Sequence, residues 1–67
     1  MITPKLHNEI KIYMLGIHES AELAESETAS YVNKFNSLNK WDQMTIDYIT
    51  TMDGVEKMIE KIDEFAA

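Results

Sequence analysis

Apolar side chains recur every three or four residues along most of this chain, and no other feature constrains its fold as strongly. One series steps by four and three from Leu6 to Leu38, and a second runs from Trp41 to Ala66. A period near 3.5 residues places such side chains along one side of an α-helix that packs against a neighbour. The sequence therefore predicts an all-α protein.

Local signals predict where each helical arm begins, and a short polar stretch at residues 36–40 separates the two arms. Thr3 can cap the first free amides, and Pro4 is tolerated in a first helical turn because its missing N–H had no partner there. Asn39 is typical of a second N-cap, with Asp42 favouring the amide end of the helix that follows. We therefore expect one helical domain over residues 1–67, an antiparallel hairpin with arm 1 at about 3–37, a turn at 36–40 and arm 2 at about 40–66.

Each arm contains a place where its helix could break. In arm 1, the candidate caps Ser20, Ser26, Thr28 and Ser30 leave open either one long helix or two shorter ones divided near residues 26–30. In arm 2, Asp53 and Glu56 resemble a capping box around Gly54, whereas the unbroken phase of the apolar series favours a continuous helix. A hairpin broken into three or four helices is therefore the alternative.

An antiparallel register in which facing residue numbers sum to about 76 sets large side chains against small ones. It places Thr28 against Tyr48 and Ala24 against Met52. Facing layers of a close-packed interior show this complementarity. We therefore expect the apolar series of arm 2 to line the core opposite arm 1.

The shortness of the chain, 67 residues, predicts assembly. A lone hairpin of this size buries too little apolar surface to be more than marginally stable. Further apolar residues lie off the first series and imply a second buried face: Ile12, Leu15, Val32, Met44, Ile46, Ile49 and Met58. We expect a homo-oligomer, most simply two hairpins that form a helical bundle with two-fold symmetry.

The charge balance indicates the kind of partner. The chain has twelve acidic residues and six basic residues, all of them Lys, which gives a net charge of −6. Direct nucleic-acid binding needs a basic face, so an acidic chain without Arg argues against it and fits a basic protein partner. No apolar run approaches the roughly 20 residues of a membrane span, and the first residues lack the apolar core of a signal peptide. We expect a cytoplasmic protein with no membrane association and no cofactor.

One acidic run supplies a candidate partner-binding site. No Lys occurs between Lys11 and Lys34, and four acids lie in that segment: Glu19, Glu22, Glu25 and Glu27. Such a run is most often a solvated face, and it could also dock against a basic groove. The leading hypothesis is a small, acidic, non-enzymatic interaction protein that acts by stoichiometric binding. It would regulate or inhibit a protein partner, as proteins encoded by phages and mobile elements do.

A second hypothesis is an oligomeric protein that binds a small, nucleotide-like ligand between subunits. Its phosphates would meet the amino groups of four lysines: Lys5, Lys11, Lys34 and Lys40. The aromatic residues of the apolar series are most simply core residues, and some could instead line a pocket at an open end of the bundle.

A third hypothesis comes from two acid pairs with a spacing of three residues, Glu19 with Glu22 and Glu60 with Asp63. Such pairs on facing helices can hold Mg²⁺ through oxygen ligands. The pattern resembles the MazG-type all-α nucleotide pyrophosphohydrolases, which carry a Glu-x-x-Glu pair followed by a Glu-x-x-Asp pair. The resemblance implies a Mg²⁺-dependent hydrolase with these four ligands. Acid pairs of this spacing also occur on solvated helices, and we favour that interpretation, so no catalytic or metal-binding residue is assigned.

Overall fold

The protein consists of four α-helices and contains no strands. A computed structural model describes residues 1–67. The helices are α1 (Pro4–Ile17), α2 (Ala21–Ser37), α3 (Lys40–Asp53) and α4 (Val55–Phe65). The predicted all-α class is confirmed, with the hairpin broken into four helices that pack as a bundle. None of these helices combines the length and the apolar character that crossing a lipid bilayer requires.

Side-chain caps fix the starts of the first three helices. The Thr3 hydroxyl accepts a hydrogen bond from the Leu6 amide at 3.2 Å, and Asn39 Oδ1 accepts one from the Asp42 amide at 2.9 Å. These are the two caps that the sequence predicts. The connection between α2 and α3 consists of two residues, Leu38 and Asn39, so it falls inside the expected turn.

Arm 1 is two helices, and its break lies at residues 18–20. Of the two alternatives, two shorter helices are confirmed and one long helix is wrong, and the predicted position of the break near residues 26–30 is also wrong. Ser20 caps α2, because its hydroxyl accepts hydrogen bonds from the amides of Glu22 and Leu23 at 3.2 and 3.4 Å. Thr28 lies buried inside α2 and donates its hydroxyl proton to the Ala24 carbonyl at 2.6 Å. Gly16 lowers the helix propensity near the end of α1, so the cap at Ser20 is the one that forms.

Arm 2 breaks at Gly54, which has φ 93° and ψ 175°. Side chains make this backbone region costly, so it is occupied almost only by glycine. The Gly54 amide closes the end of α3 by donating to the Thr50 carbonyl at 3.1 Å. The predicted capping box of Asp53 and Glu56 is wrong, because α4 starts without any side-chain cap.

The break turns the two halves of the second apolar series in different directions. In α4, Ile59 and Ile62 are buried, whereas Trp41 and Met52 of α3 are exposed. The even spacing of the series suggests one continuous face, but a backbone kinked at a positive-φ residue does not preserve the helical phase. The predicted register is wrong for this reason: Ala24 is buried while its expected neighbour Met52 is exposed, and α2 and α3 make few contacts.

The core lies where α4 packs against the other three helices. α1 packs mainly on α2, α3 packs mainly on α4, and α4 also contacts α1 and α2. The buried apolar residues are Leu6, Ile10, Met14, Ala24, Phe35, Ile46, Met58, Ile59 and Ile62. Only one of them, Ile46, belongs to α3. Two hydrogen bonds also attach α3 to the end of α2 and the connection that follows it: Gln43 Nε2 donates to the carbonyls of Phe35 and Leu38 at 3.2 and 3.0 Å.

The two glycines should respond to alanine in opposite directions. Gly54→Ala forces a side chain into the positive-φ region and should lower the free energy of unfolding by about 1–3 kcal/mol. Gly16→Ala places a methyl group in open space within α1 and should raise it by about 0.5–1 kcal/mol. Urea denaturation followed by circular dichroism measures both. Equal stability of the Gly54→Ala variant and the parent would show that the break does not depend on this backbone conformation.

Candidate protein-interaction surfaces

Three of the four predicted partner-binding acids lie together at the start of α2. Glu19 precedes the Ser20 cap, and Glu22 and Glu25 follow it in the first two turns, all of them exposed. Glu22 and Glu25 are three residues apart and therefore share one side of the helix. The negative charge of Glu22 also suits the amide end of α2, where the helix dipole is positive. We call Glu19, Glu22 and Glu25 the acidic corner.

Glu27 is separated from the acidic corner. It lies two residues beyond Glu25, and a turn of about 100° per residue brings it to the other side of α2. Its side chain is half-buried, and its charge is one of those that raise the pKa of Tyr31, which faces α4. The structure therefore divides the predicted site of four acids into a group of three and a single residue.

Tyr31, Lys34 and Asp63 form a polar cluster that joins α2 to α4. The Tyr31 hydroxyl donates to Asp63 Oδ2 at 2.8 Å, and Lys34 Nζ donates to Asp63 Oδ1 at 3.1 Å. Lys34 Nζ also lies 4.7 Å from the centre of the Tyr31 ring, within cation–π range. The pKa of Tyr31 is raised to about 12, mainly by burial and further by the hydrogen bond and negative charge of Asp63. The cluster is a structural contact that sequence spacing does not reveal.

The four lysines of the small-ligand hypothesis do not converge in one groove. Lys34 is paired within the cluster just described, and Lys40 begins α3. Lys5 lines a groove beside Asp47, whereas Lys11 lines a separate groove of about 350 Å³ between α1 and α2. No surface groove contains more than one of the four. A single copy of the chain therefore does not assemble them into a phosphate site.

The two acid pairs of the hydrolase hypothesis do not meet either. No three His, Asp or Glu side chains lie where they could share one metal ion. Both carboxylate oxygens of Asp63 are engaged by Tyr31 and Lys34. The pair at Glu19 and Glu22 and the pair at Glu60 and Asp63 therefore do not form a cluster of four carboxylates.

An apolar stripe along the outside of α3 is the surface that sequence reasoning missed. Trp41 is 76% exposed, Met44 54%, Tyr48 65% and Met52 63%. Steps of three and four residues place these side chains on one side of the helix. Sequence reasoning assigned Trp41, Tyr48 and Met52 to the core. The signal against that assignment is Ile46, an apolar residue on the opposite side of α3 that is fully buried. We call the four exposed residues the α3 stripe.

Comparisons with protein-family models, with curated proteins and with solved structures find no match to this chain. The acidic corner and the α3 stripe are two candidate interaction surfaces. One is charged and the other apolar, and they lie on different helices.

Spectrophotometric titration should show Tyr31 ionising at a pH of about 12. The difference between the titration curves of the parent and a Tyr31→Phe variant isolates this residue. Asp63→Asn should lower the pKa of Tyr31, because it removes the negative charge that opposes tyrosinate formation. Asp47→Asn, which changes an acid remote from Tyr31, is the control.

The same shift predicts how stability depends on pH. The pKa of Tyr31 is higher in the folded chain than the ordinary value of 10.0, so folding favours the protonated form. The contribution of Tyr31 to stability is therefore complete below pH 10 and is lost as the pH rises towards about 12. In the titration described above, a Tyr31 pKa that is the same in the Asp63→Asn variant and the parent would contradict the contact between Tyr31 and Asp63.

Proposed function

We propose that this chain is a small acidic interaction protein that regulates or inhibits a basic protein partner by stoichiometric binding in the cytoplasm. One observation carries the proposal. The carboxylates of the acidic corner are exposed and none forms an ion pair, whereas three acids of α4 are paired with lysines. The negative charge of this surface is therefore left for another molecule to neutralise.

The contrast with α4 supports this reading. Asp63 pairs with Lys34, Glu60 with Lys57 at 3.4 Å, and Glu64 with Lys61 at 3.2 Å. No Lys lies within the sequence between Lys11 and Lys34, so the acidic corner has no neighbouring cation along the chain. Nine of the twelve acids form no ion pair, and three of these nine lie together at the start of α2.

A concentrated, unpaired charge acts chiefly on the rate of association. Complementary potentials steer two proteins into contact and raise the association rate, and salt screens the effect. The corner is also held in place, since the Ser20 cap and the hydrogen bond from the His18 amide to the Met14 carbonyl at 3.0 Å fix the chain on either side of Glu19. A backbone that is already ordered loses little further conformational freedom on binding. A basic groove that otherwise holds nucleic-acid phosphates would be a suitable target.

The decisive test is a triple substitution that removes only the charge of the acidic corner: Glu19→Gln, Glu22→Gln and Glu25→Gln. A matched control removes the same charge elsewhere, with Asp53→Asn, Glu56→Gln and Glu60→Gln. Both change the net charge from −6 to −3. Affinity capture from lysate followed by mass spectrometry should recover a basic protein with the parent and the control, and much less of it with the corner variant.

Kinetics with the captured protein then test the mechanism. At low salt the corner variant should associate on the order of 10-fold more slowly or worse, with a weaker salt dependence than the parent. Glu27→Gln should associate at the parental rate, because Glu27 lies on the other side of α2. Equal association rates for the corner variant and the control would refute a specific docking role for the acidic corner.

A further inference from the structure

The α3 stripe is large for the surface of a small monomer. Its four side chains are each more than half exposed, and the area they leave open is on the order of 500 Å² at typical aromatic and Met sizes. The largest apolar patch on a monomeric protein typically measures about 300–600 Å² and is often functional. The opposite side of α3 contributes only Ile46 to the buried core. More apolar surface thus faces outwards from α3 than inwards.

We propose that a second copy of this chain covers the α3 stripe, with the two α3 helices packed antiparallel about a two-fold axis. The stripe runs from Trp41 to Met52 and α3 from Lys40 to Asp53, so both are centred on the middle of the helix. An antiparallel copy turned about that centre therefore overlaps the whole stripe. A two-fold interface requires a surface complementary to itself, and this one satisfies the requirement.

The side chains match in this register. Trp41 lies level with Met52 of the partner subunit, which brings an indole ring beside a thioether, a favourable pairing. Thr45, which lies between Trp41 and Tyr48 on the same side of the helix, is level with Tyr48 of the partner subunit. At these two levels a bulky residue thus meets a smaller one, as close packing favours.

The charges at the ends of α3 favour the same arrangement. Lys40 is the first residue of the helix and Asp53 the last, which is the reverse of what the dipole of their own helix favours. In the antiparallel pair, Lys40 lies at the level of the negative end of the partner's helix and of its Asp53. Each end charge then acts on the partner's dipole with a favourable sign. A parallel pair would bring like charges together instead.

The area fits a weak, reversible dimer. Two fully covered stripes would bury about 1,000 Å² in total, which is the size of weak or transient protein interfaces. This dimer does not depend on the proposed function, and salt separates the two. Two chains that each carry −6 repel one another, and this repulsion outweighs the contacts of the exposed end charges, which contribute little. Added salt should therefore strengthen the dimer while it weakens binding to a basic partner.

The first experiment measures self-association of the full chain. Sedimentation equilibrium across the micromolar range should show a monomer–dimer equilibrium that shifts towards dimer as salt is added. Trp41 is the single tryptophan and is 76% exposed in one copy, so its emission should move to shorter wavelength as dimers form. A chain that stays monomeric at hundreds of micromolar, with Trp41 in a water-like environment, would overturn the proposal and leave the stripe to a different partner.

A charge placed in the stripe should abolish the dimer. Tyr48→Glu buries an unpaired carboxylate at the interface and should weaken the dimer by about a hundredfold or more. Tyr48 is 65% exposed in one copy, so the fold should persist, which circular dichroism verifies. Ser30→Glu adds the same charge at an exposed position of α2 and should weaken the dimer far less. A Tyr48→Glu variant that dimerises as well as the Ser30→Glu variant would show that another face is used.

Mixing two variants tests the register. Thr45→Lys sets an ammonium level with the carboxylate introduced by Tyr48→Glu in the other chain only if the helices are antiparallel in the proposed register. The mixture should form a heterodimer more tightly than either variant forms its homodimer. A parallel pair would place position 48 against position 48, so the absence of this rescue would overturn the antiparallel arrangement.

Discussion

The positive φ angle of Gly54 decides how the second half of this protein is arranged. It ends α3, begins α4 and turns the two helices so that their apolar sides face different ways. α4 then lies against all three other helices and contributes Met58, Ile59 and Ile62 to the core. α3 remains at the edge with only Ile46 fully buried. The interior and the exposed stripe therefore follow from the same backbone conformation.

Features set by neighbouring residues could be predicted from the sequence. The all-α class follows from the spacing of apolar residues, and the caps at Thr3 and Asn39 follow from side chains that bond amides three residues away. The sequence does not decide whether the helix breaks at Gly54, because an apolar series with the same period on both sides fits a continuous helix and a kinked one equally. The wrong register followed from that choice, since it required the outward side of α3 to face α2.

The sequence predicts some features of the candidate sites and not others. Exposure of the acidic corner follows from the cost of burying carboxylates, and it is seen at Glu19, Glu22 and Glu25. The separation of Glu27 follows from helical geometry alone. The pairing of Lys34 with Asp63 joins residues 29 positions apart, and no local pattern indicates it. The α3 stripe could not be predicted for a related reason: composition shows which side chains are apolar, while tertiary packing decides which are left over.

The two surfaces differ in what they could do for one molecule. An apolar, self-complementary stripe suits a contact between identical chains, whereas an acidic corner cannot pair with its own copy because like charges repel. The acidic corner thus excludes the identical chain that the α3 stripe favours. A dimer joined through α3 would carry two acidic corners on α2 helices that take no part in the α3 contact. Against a target with two basic sites, the second corner would bind at the high effective concentration set by the first, which gains affinity without any new contact.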